Sequence, residues 1–233
     1  MKTSRLLYSV FSLFLCSLAS LLWGISPAIA GVVVGGTRVV YHAEKGESSI
    51  SVSNPEKKRP YLIQSWVEDV NGKKEQRFFV VTPPLFRLNA GQENILRIIR
   101  TEGILPQDRE SVFWLNIKAI PSSEEGSGNN LLISVKTRMK LFYRPEGLEG
   151  RPNEAYRQLV FSNEGNVLTV HNPTAYHVSF QTLSVDGNEI KTAGMVAPKG
   201  KLSWDMHSAG AKRVTWKAIN DYGAATTESQ VEL

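Results

Sequence analysis

Residues 61–81 read YLIQSWVEDVNGKKEQRFFVV, and this stretch decides the fold class. β-Branched and aromatic residues crowd Tyr61 to Val70, a composition suited to a pleated, half-buried surface. Asn71-Gly72 is the strongest short hairpin signal, because both residues accept the positive φ of a tight reverse turn. The spacing predicts a hairpin whose return strand runs from Gln76 to Val81.

The same pattern continues on both sides. Ser49-Ile50-Ser51-Val52-Ser53 alternates and stops at Asn54-Pro55, and Leu85 to Leu88 precedes a turn at Asn89-Ala90-Gly91. Asn94 to Arg100 and Val112 to Ile120 read as strands. After a polar loop from Ser122 to Asn130, Leu131 to Tyr143 is expected to be the longest strand of all. Turn-rich, charged Pro145 to Asn153 has the composition of a linker. Beyond it, strands are expected at Leu159–Ser162, Val167–Asn172, His177–Val185, Lys201–Asp205 and Val214–Ile219, punctuated by Asp186-Gly187 and Asn220-Asp221-Tyr222-Gly223. No window holds an amphipathic helix of ordinary length. The reading is all-β, two sandwich domains in tandem at 31–150 and 151–233.

The first thirty residues stand apart. Lys2 and Arg5 precede an apolar run from Leu6 to Trp23, and Ala28-Ile29-Ala30 closes with the small-residue pattern of a signal-peptidase site. A secretory signal peptide cut after Ala30 is the expectation, with a retained signal anchor as the alternative. Cleavage removes Lys2, Arg5 and Cys16, so the formal charge falls from +5 to +3 and no thiol remains. A disulfide framework and a thiolate metal site are excluded by that single cysteine. So small a charge, with no dominant basic run, argues against a nucleic-acid partner. With 42% apolar and 21% charged residues the chain can bury a core, which excludes wholesale disorder. No stable membrane insertion is expected after cleavage.

Enzyme signatures are absent. His42, His171, His177 and His207 lack metalloprotease spacing; His171 and His177 could share a strand face, but ordinary surface histidines are the preferred reading over zinc ligands. There is no G-x-S-x-G elbow, and the glycine-rich Gly31 to Gly36 lacks the order of a phosphate loop. No catalytic residue, metal or cofactor is expected. One segment is unusual: Leu131, Ile133 and Val135 form an apolar row on one face of a strand. Periodicity alone favours a row that lines the core; the alternative is an edge strand offering apolar side chains to a partner.

Five motifs carry a resemblance. LPQDRESVFWLN at 105–116 resembles the signature of periplasmic pilus chaperones, as do Thr82-Pro83-Pro84, MKLFYRP at 139–145, Asn172-Pro173-Thr174 and INDYG at 219–223. They occur in family order, and the likeness spans Val32 to about Gly223. It implies two immunoglobulin-like domains in a boomerang arrangement. It also implies that pilin subunits bind along the first domain, with Leu131, Ile133 and Val135 entering the groove left by the pilin's missing strand. That assigns the row to a partner instead of the core. Arg38 and Lys140 correspond to the pair that holds the subunit's C-terminal carboxylate, and Glu110, Arg144 and Asp221 to a charge network between the domains. The resemblance further implies an outer-membrane usher as second partner and a cis bond at Thr82-Pro83; self-association of the free protein would protect an exposed apolar edge, and the sequence leaves it open. A short loop at Pro121–Asn130 and the missing cysteine pair place the chain with the short-loop branch. The glycine-rich start predicts looser edge pairing than in relatives. The remaining alternative is a structural or adhesive two-domain surface protein; the Arg38/Lys140 pair and the two complete, thiol-free units favour the chaperone.

Overall fold

A computed structural model describes residues 31–74, 77–123, 131–206 and 210–233. The expected signal segment, His207, the start of the expected return strand and most of the loop before Leu131 lie outside the described residues.

Among the described residues, nine strands build the first sandwich: β1 (Val33–Val34), β2 (Arg38–His42), β3 (Glu47–Ser53), β4 (Tyr61–Glu68), β5 (Phe79–Thr82), β6 (Leu85–Leu88), β7 (Glu93–Arg100), β8 (Ser111–Pro121) and β9 (Val135–Arg144). One sheet has the order β1-β3-β7-β5 and the other β2-β9-β8-β4-β6. The period of two decides what is buried. Ile50, Val52, Leu96 and Ile98 face inward from the first sheet, and Phe113, Leu115, Met139, Leu141 and Tyr143 from the second. Phe79 ties the layers together, with edge-on ring contacts to Tyr41 at 5.2 Å and Phe113 at 5.1 Å.

The second sandwich begins after a short 3-10 turn at Pro152–Gln158. It comprises β10 (Val160–Glu164), β11 (Val167–His171), β12 (Val178–Val185), β13 (Asn188–Glu189), β14 (Met195–Val196), β15 (Lys201–Asp205), β16 (Arg213–Ala218) and β17 (Ser229–Glu232). A β10-β11-β15 sheet faces a β13-β12-β16-β17 sheet, with β14 added on β12. Leu168, Val170, Leu183, Val214 and Trp216 fill the space between them. Trp216 donates its indole N–H to the Tyr156 carbonyl at 2.9 Å, so its buried polar group is satisfied. No helix among the described residues is long and apolar enough to cross a membrane.

Two expectations need correction. Asn71-Gly72 does form a turn: Asp69 accepts from the Asn71 and Lys73 amides at 2.9 and 2.8 Å, and Gly72 has φ 81°. Among the described residues the chain returns to β4 for a single bridge, Glu68 with Lys74, and β5 then joins β7 in the opposite sheet. There Phe79 and Val81 turn inward and are buried in the core. The second correction concerns Leu131–Tyr143. The β8–β9 ladder ends at Ala119 with Val135, and residues 131–134 pair with nothing among the described residues. Past Ala119, β8 ends in Pro121, which has no amide N–H to donate. β8, with 11 residues, is therefore longer than β9, with 10.

The glycine-rich start pairs with β3 over Val33 and Val34, and Gly35 adds a bond to the Ser51 carbonyl at 2.9 Å. The Thr82-Pro83 bond is cis. Between the sandwiches, the Asn220–Gly223 turn closes against β2. Gly223 sits at φ 84°, and a Cβ there would fall onto the Thr37 side chain. Gly187 has φ 83° with open space around it. Gly223→Ala should therefore lower unfolding free energy by about 2 kcal/mol and Gly187→Ala by about 1, the difference reporting the contact with Thr37. Denaturant titration of both variants checks this; equal losses would show that the Thr37 contact costs nothing.

Candidate functional site

Sheet register creates the site. β2 pairs with β9 in parallel, Arg38 opposite Lys140 and His42 opposite Arg144. Two cations thus share one rung. Lys140 Nζ donates to Ser179 Oγ at 3.1 Å, and Arg38 Nη1 donates to the Ile219 carbonyl at 3.0 Å. Both contacts reach from the first sandwich to the second. The Arg38 guanidinium also lies 5.7 Å from the Phe142 ring centroid, and its Nε is buried without a partner. Burial lowers the pKa of Lys140, and the charge of Arg38 lowers it further. Burial also lowers Arg38, opposed by the charges of Asp221 and Glu110. Two crowded, half-desolvated cations with donor capacity to spare suit a carboxylate, which would accept charge-assisted bonds and relieve the repulsion between them.

Next to this rung the sheet is open. β2 covers β9 only from Lys140 onward, so the same edge of Val135–Met139 has no strand partner among the described residues. Leu131, Ile133 and Val135 are 86%, 67% and 61% exposed. The row that periodicity alone would place in a core is therefore at the surface. An open edge carrying an apolar row is a template for an added strand.

A third group lies where the sandwiches meet. Arg144 donates from Nε to Glu110 at 2.7 Å and grips Asp221 with both terminal nitrogens, at 2.7 and 2.8 Å. The second Glu110 oxygen accepts from the His177 amide at 2.8 Å and lies 3.2 Å from His177 Nδ1. Burial depresses the Arg144 pKa, but the bonds to Asp221 and the charges of Glu110 and Asp221 outweigh it and hold the guanidinium above its ordinary value. Glu110, Arg144 and Asp221 are thus brought together, and His177 joins them.

His177 is the residue that the sequence reading missed. It is no surface histidine: its side chain is 5% exposed and its ring lies 5.4 Å from that of Phe142. Its signal was in the Asn172-Pro173-Thr174 motif. The Asn172 amide holds the Tyr176 and Ala197 carbonyls at 2.7 and 3.1 Å, while its oxygen accepts from Thr174, and this knot presents His177 just ahead of β12. His171 is half-buried in β11, apart from this group. Among the described residues, no cluster of His, Cys, Asp and Glu is arranged to hold a metal ion. Removing Arg144 would leave Glu110 buried beside a weakened partner set. Arg144→Ala should cost about 3 kcal/mol, and Asp221→Ala less, since Asp221 is 29% exposed. Calorimetric melting of the two variants tests the order.

The chain matches two family models in series. Residues 31–149 match the pili and flagellar-assembly chaperone, PapD N-terminal domain, and residues 154–230 match the pili assembly chaperone PapD, C-terminal domain. The chaperone protein LpfB of Salmonella typhimurium is 43% identical over 200 residues, covering 84% of this chain and 86% of LpfB. A chain from the Salmonella enterica complex of SafA pilin with the SafB chaperone superposes with a TM-score of 0.80 at 34% identity, covering 89% of this chain and 99% of that one. The Escherichia coli chaperone DraB gives a TM-score of 0.78 at 37% identity, covering 87% and 96%. With both halves matched in order, at this identity and over this length, the chain belongs to the family of PapD-type pilus-assembly chaperones.

Proposed function

We propose that this protein captures pilin subunits in the periplasm by lending them a strand, and passes them to an outer-membrane usher. The carrying observation is the adjacency of an open β9 edge and the Arg38/Lys140 rung. Arg38 and Lys140 grip the C-terminal carboxylate of the subunit, and that fixed point sets the register of the strand that pairs along Val135–Met139. Leu131, Ile133 and Val135 fill the groove left by the strand the subunit lacks. Each side chain fully buried this way contributes roughly 1.5–3 kcal/mol. Glu110, Arg144, Asp221 and His177 hold the two sandwiches in the orientation that brings Ile219 and Ser179 to the two cations. The work is binding, without a catalysed reaction or a cofactor.

Residues 1–30 act as the export signal, cut after Ala30, and the two domains are 31–150 and 151–233. Arrival without a thiol means that folding in the oxidising periplasm requires no disulfide chemistry. While no subunit is bound, a second copy can cover the apolar row, which gives the free protein a route to self-association.

The test is a periplasmic pull-down with the tagged mature chain, run beside Arg38→Ala, Lys140→Ala and Ile133→Asp. The expected result is a small β-rich subunit retained in stoichiometric amount by the parent and lost in all three variants. Equal retention by every form would overturn the anchor and the donor row. Nothing retained, although candidate pilins are expressed, would overturn the chaperone reading and favour a surface structural protein.

Acidity supplies a second test. Lys140 sits below the ordinary lysine value of 10.5, so the folded protein sheds this proton before the unfolded chain does. Capture should weaken as pH rises through the lowered value, because one of the two cations is lost. The unliganded protein should gain a little stability over the same alkaline window, as the unfolded chain then binds more protons than the native one. Affinity that stays flat over that window would exclude Lys140 as a charged contact.

A further inference from the structure

The face of β9 opposite the core carries more cations than a carboxylate anchor needs. Alternation puts Lys136, Arg138 and Lys140 on this face, while Met139 and Leu141 point inward. Across the ladder, β8 sets Lys118 opposite Lys136, Asn116 opposite Arg138 and Trp114 opposite Lys140. β4 continues the three rungs with Gln64, Trp66 and Glu68. The result is a grid of three rungs on three strands with four cations and a single carboxylate.

That carboxylate is already engaged. Glu68 accepts from the Trp66 indole at 2.8 Å and lies 3.4 Å from the Arg138 guanidinium. The cations lie across aromatic rings of the neighbouring strands: Arg138 is 4.2 Å from the Trp114 centroid, Lys136 is 5.9 Å from that of Trp66, and Lys74 from the neighbouring turn is 5.6 Å from the same ring. Lys136 and Lys118 have no carboxylate on their rung.

We infer that this wall selects an added strand that carries carboxylates at alternate positions. The inference rests on the proposed strand capture at the β9 edge. A strand pairing with Val135–Met139 presents its side chains alternately to two faces. One set lies on the side of Ile133 and Val135, and the other lies beside Lys136, Arg138 and Lys140. Acidic residues in the second set meet opposite charges directly across the pair, and basic ones meet like charges. Lys118, one strand further away, adds a longer-range contribution that salt screens. The apolar row thus reads one face of the captured strand, and the wall reads the other by charge.

The test uses the full mature chain and two synthetic strand-forming peptides with free C-terminal carboxylates. Both have apolar residues at alternate positions; one has Glu and the other Lys at the positions between. The parent should bind the Glu peptide about tenfold more tightly than the Lys peptide at low salt, with a smaller ratio at high salt. Lys136→Glu should abolish the preference, and Lys136→Glu combined with Lys118→Glu should reverse it, with melting unchanged in both. Arg38→Ala should weaken both peptides alike. Equal binding of the two peptides, still dependent on Arg38, would overturn the wall and leave the carboxylate anchor standing. Failure of both peptides to bind would overturn the wall and the anchor together. A single-stranded oligonucleotide that displaces the Glu peptide, and loses this ability in the double variant, would overturn the assignment of the wall to a strand.

Discussion

The molecule depends on where one strand pairing stops. β2 lies parallel to β9 from Lys140 to Arg144 and goes no further. Had it run on, the sheet edge would be covered and the apolar residues ahead of Val135 would have no use. Because it stops, the same geometry leaves an open edge and sets Arg38 level with Lys140. An exposed edge is ordinarily a hazard that proteins blunt with charges or bulges. Here cations stand along the same strand, beside the edge that stays open.

The other contacts fix how that rung meets the second sandwich. The Arg144 network, Gly223 packed against Thr37, and the bonds from Arg38 and Lys140 into the second sandwich all act across the same junction. Buried ion pairs add little net stability, because desolvation cancels most of their attraction. Their value lies in orientation. Arg144 meets Glu110 on one side and both oxygens of Asp221 on the other, a geometry with few alternatives, and His177 holds the remaining Glu110 oxygen.

Most of the fold was legible in the sequence because both sandwiches announce themselves by alternation: Ile50 and Val52, Leu96 and Ile98, Leu168 and Val170 all face inward as the period of two requires. Failures came where periodicity carries no information. Asn71-Gly72 specifies a turn but cannot say which sheet the next strand joins; burial of Phe79 and Val81 decided that. Leu131 to Ser134 has strand composition, yet composition does not supply a partner. The two-residue strands β1, β13 and β14 are too short for any pattern to stand out. As for the site, Glu110, Arg144 and Asp221 could be named from motifs, whereas His177 resembled any other histidine until Asn172 was seen to shape the loop ahead of it.

The two contacts that fix the cation pair have a temporal meaning. Arg38 rests on the Ile219 carbonyl and Lys140 on Ser179, so neither is positioned by the first sandwich alone. An emerging chain with only its first half folded would have an open edge and loose charges, but no site of defined shape. The last strands to be synthesised supply the partners of side chains set by the first. The junction therefore reaches its final form only when both halves are folded.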